Sequence, residues 1–386
     1  MSKKVNRDFI EPEVAIHLAR KTLAEYDLND ASSLANYFPS KEVDDIEYEI
    51  SIGEDAGFIT AANWRTFGGS TTSETWGGGQ KARGRFMPLA RNYTIDEEGA
   101  LRMRNNANIM REREASNLIK RAAKSIAIAV NRQRANALQN ARINIDGPGG
   151  LREVVDFNRD ERLTTVAPKL FTDPAADILG YIESLTDLYE EINGYRPEQV
   201  MIPSEVRRLI NEHPQIVGEA VDSTNRRRAS AIELENLFAN YRLPEIVDTP
   251  NGLIQVDDLE TGATRRVRLF DRDSILFTPK GGNALDVESS PLGRTFWGRT
   301  KSADLPEFSG VSAESLPGIV AAVLEEPWPY KQEVIADALA MPVMFNPNLT
   351  LKAKVLDLSE QAASDPTATD GEKEGVGEEP VGEPEA

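Results

Sequence analysis

The apolar positions change period several times along the chain, and each change predicts an element. Val14, Leu18 and Thr22 recur four apart, with Ile16, Ala19 and Leu23 beside them and Pro12 where a first helical turn tolerates a missing N–H, so a short helix ending near Asp27 is expected. That segment reads either as an ordinary surface helix or as an arm lying on a neighbouring subunit. From Ile46 to Ile52 apolar and polar residues alternate, the period of a half-buried strand. Ala56 to Met103 then fills with glycine, threonine, arginine and aromatic residues without a helical period, which predicts a long two-stranded excursion with a flexible tip. An isolated hairpin is marginal in water and needs a surface to lie on. Trp64, Phe67, Gly68, Gly69, Ser70, Trp76, Arg83 and Arg85 are its candidate contacts with another subunit.

The strongest helical signal runs from Asn105 to Ala141, where Ala115, Ile119, Ala122, Ile126, Ala129 and Val130 fall at three-and-four spacing until Gly147-Pro148-Gly149-Gly150 closes it. At 1.5 Å per residue this is a strut of up to about 50 Å. Asp173-Pro174 predicts a second helix reaching Gly194. Gln199 to Ile202 reads as a buried strand, Ser204 to Glu212 and Ala231 to Tyr241 as helices, and four short strands follow between Glu245 and Phe277, making one α+β lobe. Lys331 to Ala340 is expected to be a last helix, with Pro342 to Phe345 and Leu349 to Leu356 as closing strands.

Charge changes the picture in two places. The net charge is −19, and Ser359 to Ala386 holds nine acidic residues against one lysine, a composition expected to stay disordered. Between Arg104 and Arg142, by contrast, nine basic residues face two acidic ones. Arg111, Arg113, Lys120, Arg121, Lys124, Arg132 and Arg134 are candidates for a basic face toward phosphates or an acidic neighbour, and a solvated face is the alternative.

Candidate chemistry is sparse. Cysteine is absent, which excludes disulfides and thiolate nucleophiles, and the two histidines, His17 and His213, lack a nucleophile and orienting acid in any recognisable arrangement. No phosphate-binding glycine motif and no metal-ligand spacing occurs, so no catalytic residue, metal or cofactor is expected and the chain reads as a non-enzyme. Neither a signal peptide nor a membrane-length apolar run is present, and no membrane association is expected.

The order of segments, with Phe67-Gly68-Gly69-Ser70-Thr71 in the excursion, the helix from Asn105, Asp173-Pro174, and Ala340-Met341-Pro342-Val343-Met344-Phe345-Asn346-Pro347 near the end, resembles the tailed-bacteriophage major capsid proteins of the lambda-like E family. The resemblance covers about Ala31 to Leu356. It implies the Hong Kong 97-like capsid fold: an N-terminal arm (1–45), an extended β-hairpin loop (46–104), a peripheral domain with a spine helix (105–165 and 331–358), an axial domain (166–330) and an acidic tail (359–386). It also implies self-assembly into hexamers and pentamers of an icosahedral head around double-stranded DNA, assembled in the host cytoplasm. A separate scaffolding protein, a portal and a decoration protein are the implied partners, with only weak, non-specific contact to the DNA. Lys81 with Asn346 or Asn348 would be the candidates for the crosslink some relatives form. A nanocompartment shell of the same fold, a nucleic-acid-binding protein and a carboxylate hydrolase are the rival readings.

Overall fold

The structure is a computed structural model, and it describes residues 4–5, 10–45, 47–52, 80–95, 98, 108–147, 151–220, 228–250, 252–257, 264–304, 318–327 and 330–358. After β1 (Lys4–Val5) comes α1 (Pro12–Asn29), with Pro12 in its first turn as the sequence predicts. Then follow β2 (Ser40–Glu42), β3 (Glu47–Ile52), β4 (Gln80–Arg85) and β5 (Met87–Ile95). The long helix is α2 (Asn108–Asn140), which ends where Ala141 takes a left-handed φ of 50°. The turn residues 147–150 do not end this helix. After it comes an antiparallel pair, β6 (Arg142–Gly147) and β7 (Leu151–Asp156), that the helical reading passed over.

The next lobe holds β8 (Thr164–Val166), α3 (Ile178–Asn193), β9 (Gln199–Ile202), α4 (Ser204–Glu212), α5 (Pro214–Ala220), α6 (Ala231–Asn240), β10 (Glu245–Asp248), β11 (Leu253–Asp257), β12 (Thr264–Arg268) and β13 (Ser274–Thr278). The chain closes with β14 (Gly293–Gly298), β15 (Ile319–Pro327), β16 (Tyr330–Met344) and β17 (Leu351–Lys354).

Asp173-Pro174 does not open α3. Asp173 accepts from Ala175 N at 2.9 Å in a local turn, and the cap is Asp177, which accepts from Gly180 N at 3.0 Å. At the far end Gly194 adopts φ 82°, the left-handed residue that terminates the helix as expected.

A second correction concerns Lys331 to Ala340, which is strand. Val334, Ala336, Ala338 and Ala340 are all buried in the cluster that includes Ile119, Ala122 and Ile126 of α2. Burial of these residues at every second position is the strand period, and three of the four are alanine, small enough for α2 to pack closely over them. Pro342 is tolerated because the β5 ladder ends at Ala340↔Met87, leaving that edge unpaired beyond it.

Two sheets organise the described residues. In the six-stranded sheet β16 is central: β5 pairs along one edge, and β15 and β14 lie end to end along the other, joined where Gly318 N donates to Gly298 O at 3.0 Å. The five-stranded sheet has the order β10-β9-β13-β17-β8. One face of it, with Val200, Ile202, Ile275, Phe277, Leu351 and Ala353, packs on α3, α4 and α6. The other, with Met201 and Leu276, shares a core with Phe296, Met341 and Val343 of the first sheet. Gly293–Gly298 and Ile319–Pro327 therefore belong to the six-stranded sheet, and Leu351–Lys354 to the five-stranded one.

Candidate functional site

The paired ribbon β3–β4 leads out of the six-stranded sheet in a register running from Glu47↔Arg85 to Ile52↔Gln80. Its root is an aromatic ladder. Tyr48 stacks on Phe86 at 5.7 Å between ring centroids, and Phe86 on Phe296 of β14 at 6.0 Å. Gly84 lies directly opposite Tyr48, and a Cβ there would overlap the Tyr48 ring, so the glycine lets that ring fold across the ribbon. Arg85 is exposed and pairs with Glu47 at 3.2 Å, an ion pair worth little in solvent. Arg83 sits in β4 opposite Glu49. Trp64, Phe67, Gly68, Gly69, Ser70 and Trp76 lie outside the described residues.

On α2 the apolar stripe packs inward, and Arg113, Lys120, Arg121 and Lys124 stand exposed on the remaining surface. Arg111 lies in the first turn of the helix, and Arg132 is half-buried.

Arg134 departs from the expected basic face. It is 1% exposed and donates Nη1 to Asp27 Oδ1 at 2.6 Å, Nη2 to Asp27 Oδ2 at 3.2 Å and to Ser40 Oγ at 3.0 Å, and Nε to Thr295 Oγ1 at 2.8 Å. A buried guanidinium needs a partner for its charge and its donors, and the fork satisfies both demands by clamping α1, β2 and β14 onto α2. Beside it Asn131 accepts from Leu34 N at 2.9 Å and donates to Ser32 O at 2.7 Å. The helix α1 thus packs on its own chain, against α2 and β15. Long-range pairing of this kind leaves no signal in local spacing, and Arg134 is indistinguishable in the sequence from its exposed neighbours.

A cleft of about 620 Å³ opens between α2, β5, β6 and the ribbon β11–β12. Arg91 of β5 reaches across it to Asp257 at 2.7 Å, and both Arg91 and Arg121 lie over the Tyr93 ring, at 5.7 and 5.9 Å from its centre. Burial lowers the pKa of Arg132, and the nearby Arg265 lowers it further, against the pull of Asp146.

No protein-family model and no curated protein sequence matches the chain. Among solved structures, it is similar to one assigned as the capsid protein of a prophage in Escherichia coli CFT073, with a TM-score of 0.58 and 14% identity over 92% of this chain and 100% of that one. It is also similar to a phage-related protein from Bordetella bronchiseptica RB50, at a TM-score of 0.50 and 13% identity, covering 92% of this chain and 97% of that one. The chain has the Hong Kong 97-like capsid fold.

In the terms of that capsid fold, α2 is the spine helix and β3–β4 the base of the extended loop. Several polar groups that could have suggested chemistry make contacts within the fold. His213 is buried, accepts at Nδ1 from Gln215 N at 3.3 Å and bonds through Nε2 to Asp173 O at 3.1 Å, while His17 is exposed on α1. Asp271 takes Lys352 at 2.5 Å and Asp273 takes Lys354 at 3.6 Å, tying β17 to the turn before β13. Asn346 donates to Pro291 O at 2.9 Å and Asn348 accepts from Asp160 N at 2.9 Å, while the Lys81 side chain lies outside the described residues. Among the described residues no group of three or more His, Cys, Asp or Glu side chains is arranged to hold a metal, and no helix is long and apolar enough to cross a membrane.

Proposed function

We propose that this chain is a major capsid protein that assembles into hexamers and pentamers of an icosahedral head enclosing double-stranded DNA. The observation that carries the reading is the end-to-end similarity to the prophage capsid protein, which spans that chain completely. Physical features of the molecule support it. A ribbon rooted by an aromatic ladder and leading away from the sheet gains stability by lying on another copy. A structural, non-enzymatic role follows from the same similarity to a capsid protein.

Under this reading the six-stranded sheet with the spine helix is the peripheral domain and the five-stranded sheet with α3, α4 and α6 the axial domain. Trp64, Phe67, Gly68, Gly69, Ser70, Trp76, Arg83 and Arg85 make the contacts between subunits. A separate scaffolding protein, a portal and a decoration protein complete the head, assembly takes place in the host cytoplasm, and DNA is touched only weakly.

Electron microscopy and light scattering of the purified protein, alone and co-expressed with neighbouring gene products, test this. Closed shells or hexameric and pentameric capsomers are expected. Shells filled with an enzyme and lacking DNA would move the assignment to a nanocompartment, and a monomer under every condition would overturn it.

A further inference from the structure

The spine-helix cleft has an apolar floor, including Leu89, Ile128, Ile254 and Val256, and a basic rim. The rim comprises Arg91, Arg121, Lys124 and Arg132, with Arg265 next to the lining residue Thr264. Against these stand Asp257, which Arg91 already holds, Asp146, and Asp30, which lies close enough to Lys124 to feel its charge. Five cations thus face three carboxylates among the described residues, and like charges meet there: burial lowers the pKa of Arg132, and the neighbouring Arg265 lowers it further against the pull of Asp146. Such an arrangement is stabilised by an anionic occupant.

The shape selects among anions. A volume of about 620 Å³ lies in the range of sites that enclose a small ligand, and its apolar lining favours an occupant with apolar groups beside its charges. The occupant that fits is an acidic chain with small apolar residues between its carboxylates. Glu378-Glu379-Pro380-Val381-Gly382-Glu383-Pro384-Glu385 of this protein has that composition.

The segment also reaches. Lys352 Nζ lies 2.8 Å from Asn140 Oδ1 at the end of the spine helix. From there back to Arg121 the helix rises about 30 Å, and the six residues from Lys352 to Leu358 add at most about 20 Å more. The twenty residues from Leu358 to Glu378 span up to about 65 Å when extended.

We propose that the acidic segment following Leu358 docks in the spine-helix cleft of its own chain, with Glu378, Glu379 and Glu383 on the basic rim and Pro380 and Val381 on the apolar floor. The segment then acts as an internal polyanion that shields the cleft from phosphates. This inference stands independently of shell formation.

Zero-length carbodiimide crosslinking of the full chain at low salt, followed by peptide mass spectrometry, tests it, with Lys124 as the amine on the rim. A crosslink from Lys124 to the tail glutamates in the band of monomer mass is expected. It should weaken at least tenfold between about 50 and 300 mM salt, as exposed charge pairs are screened. A full-length variant with Glu378, Glu379, Glu383 and Glu385 each changed to Gln leaves the packed body untouched. In it Lys124 should acetylate several-fold faster than in the parent. Arg121→Gln with Arg132→Gln should lose the crosslink. No Lys124–tail crosslink, or a Lys124 acetylation rate indifferent to the tail variant, would overturn the proposal. Crosslinks confined to the band of dimer mass would replace the chain's own tail by a neighbouring copy's.

Discussion

Arg134 sets the residue scale, because a charge with almost no solvent contact depends entirely on Asp27, Ser40 and Thr295. Asp27→Ala leaves that charge uncompensated and is expected to cost about 3–5 kcal/mol in urea denaturation. Replacing both partners by apolar residues, Asp27→Leu with Arg134→Met, is expected to recover a large part of the loss. Asp337 behaves in the opposite sense. Burial raises its pKa above the ordinary 3.8, although Ser302 Oγ donates to it at 2.5 Å. The folded chain therefore holds this proton more tightly than the unfolded one does. The protonated form's advantage is fully present below the unfolded pKa and lost as pH rises through the folded value. Asp337→Asn is expected to melt higher than the parent at neutral pH, with a gain that shrinks toward about pH 4 in a series of thermal melts. Gly293 shows a different constraint, since a Cβ there would run into the backbone carbonyl of Val343 on β16. Gly293→Ala must push two paired strands apart and is expected to lower the melting temperature by several degrees.

At the scale of elements, what could be read from the sequence depended on whether an element's neighbours were close in the chain. The spine helix and α3 with its Gly194 stop carry their own period, β9 is a run of four buried residues, and each was legible. β16 was read as a helix, because small residues suit both a helix interior and a strand under a closely packed helix, and the six-stranded sheet that decides the matter is assembled from distant segments. The Asp173-Pro174 signal was real turn chemistry placed four residues too early, with the cap supplied by Asp177. Asp177→Ala is expected to cost about 1 kcal/mol by chemical denaturation. The aromatic ladder was out of reach of local reading, since Tyr48, Phe86 and Phe296 come from three strands. Tyr48→Ala should remove hydrogen-exchange protection from the β3–β4 amides while leaving α3 and β9 protected, because that ribbon leans on one stack of rings.

For the whole molecule, segment order was more informative than any motif, and it is the property retained in structures with 14% and 13% identity to this chain. The candidate site was legible only in part. Exposed cations on the spine helix were found by counting, but their division into a buried clamp at Arg134 and a cleft rim at Arg121, Lys124 and Arg132 needed the fold.

The route of the chain at its end has a mechanical consequence. β16 runs through the middle of the six-stranded sheet and, after the turn at Pro347–Leu349, the same backbone becomes β17 inside the five-stranded sheet. A pull that separates the two sheets is therefore carried along both strands lengthwise. Ladders on both edges of each strand then resist in shear, many hydrogen bonds at once, where a strand peeled from a sheet edge would yield one bond at a time.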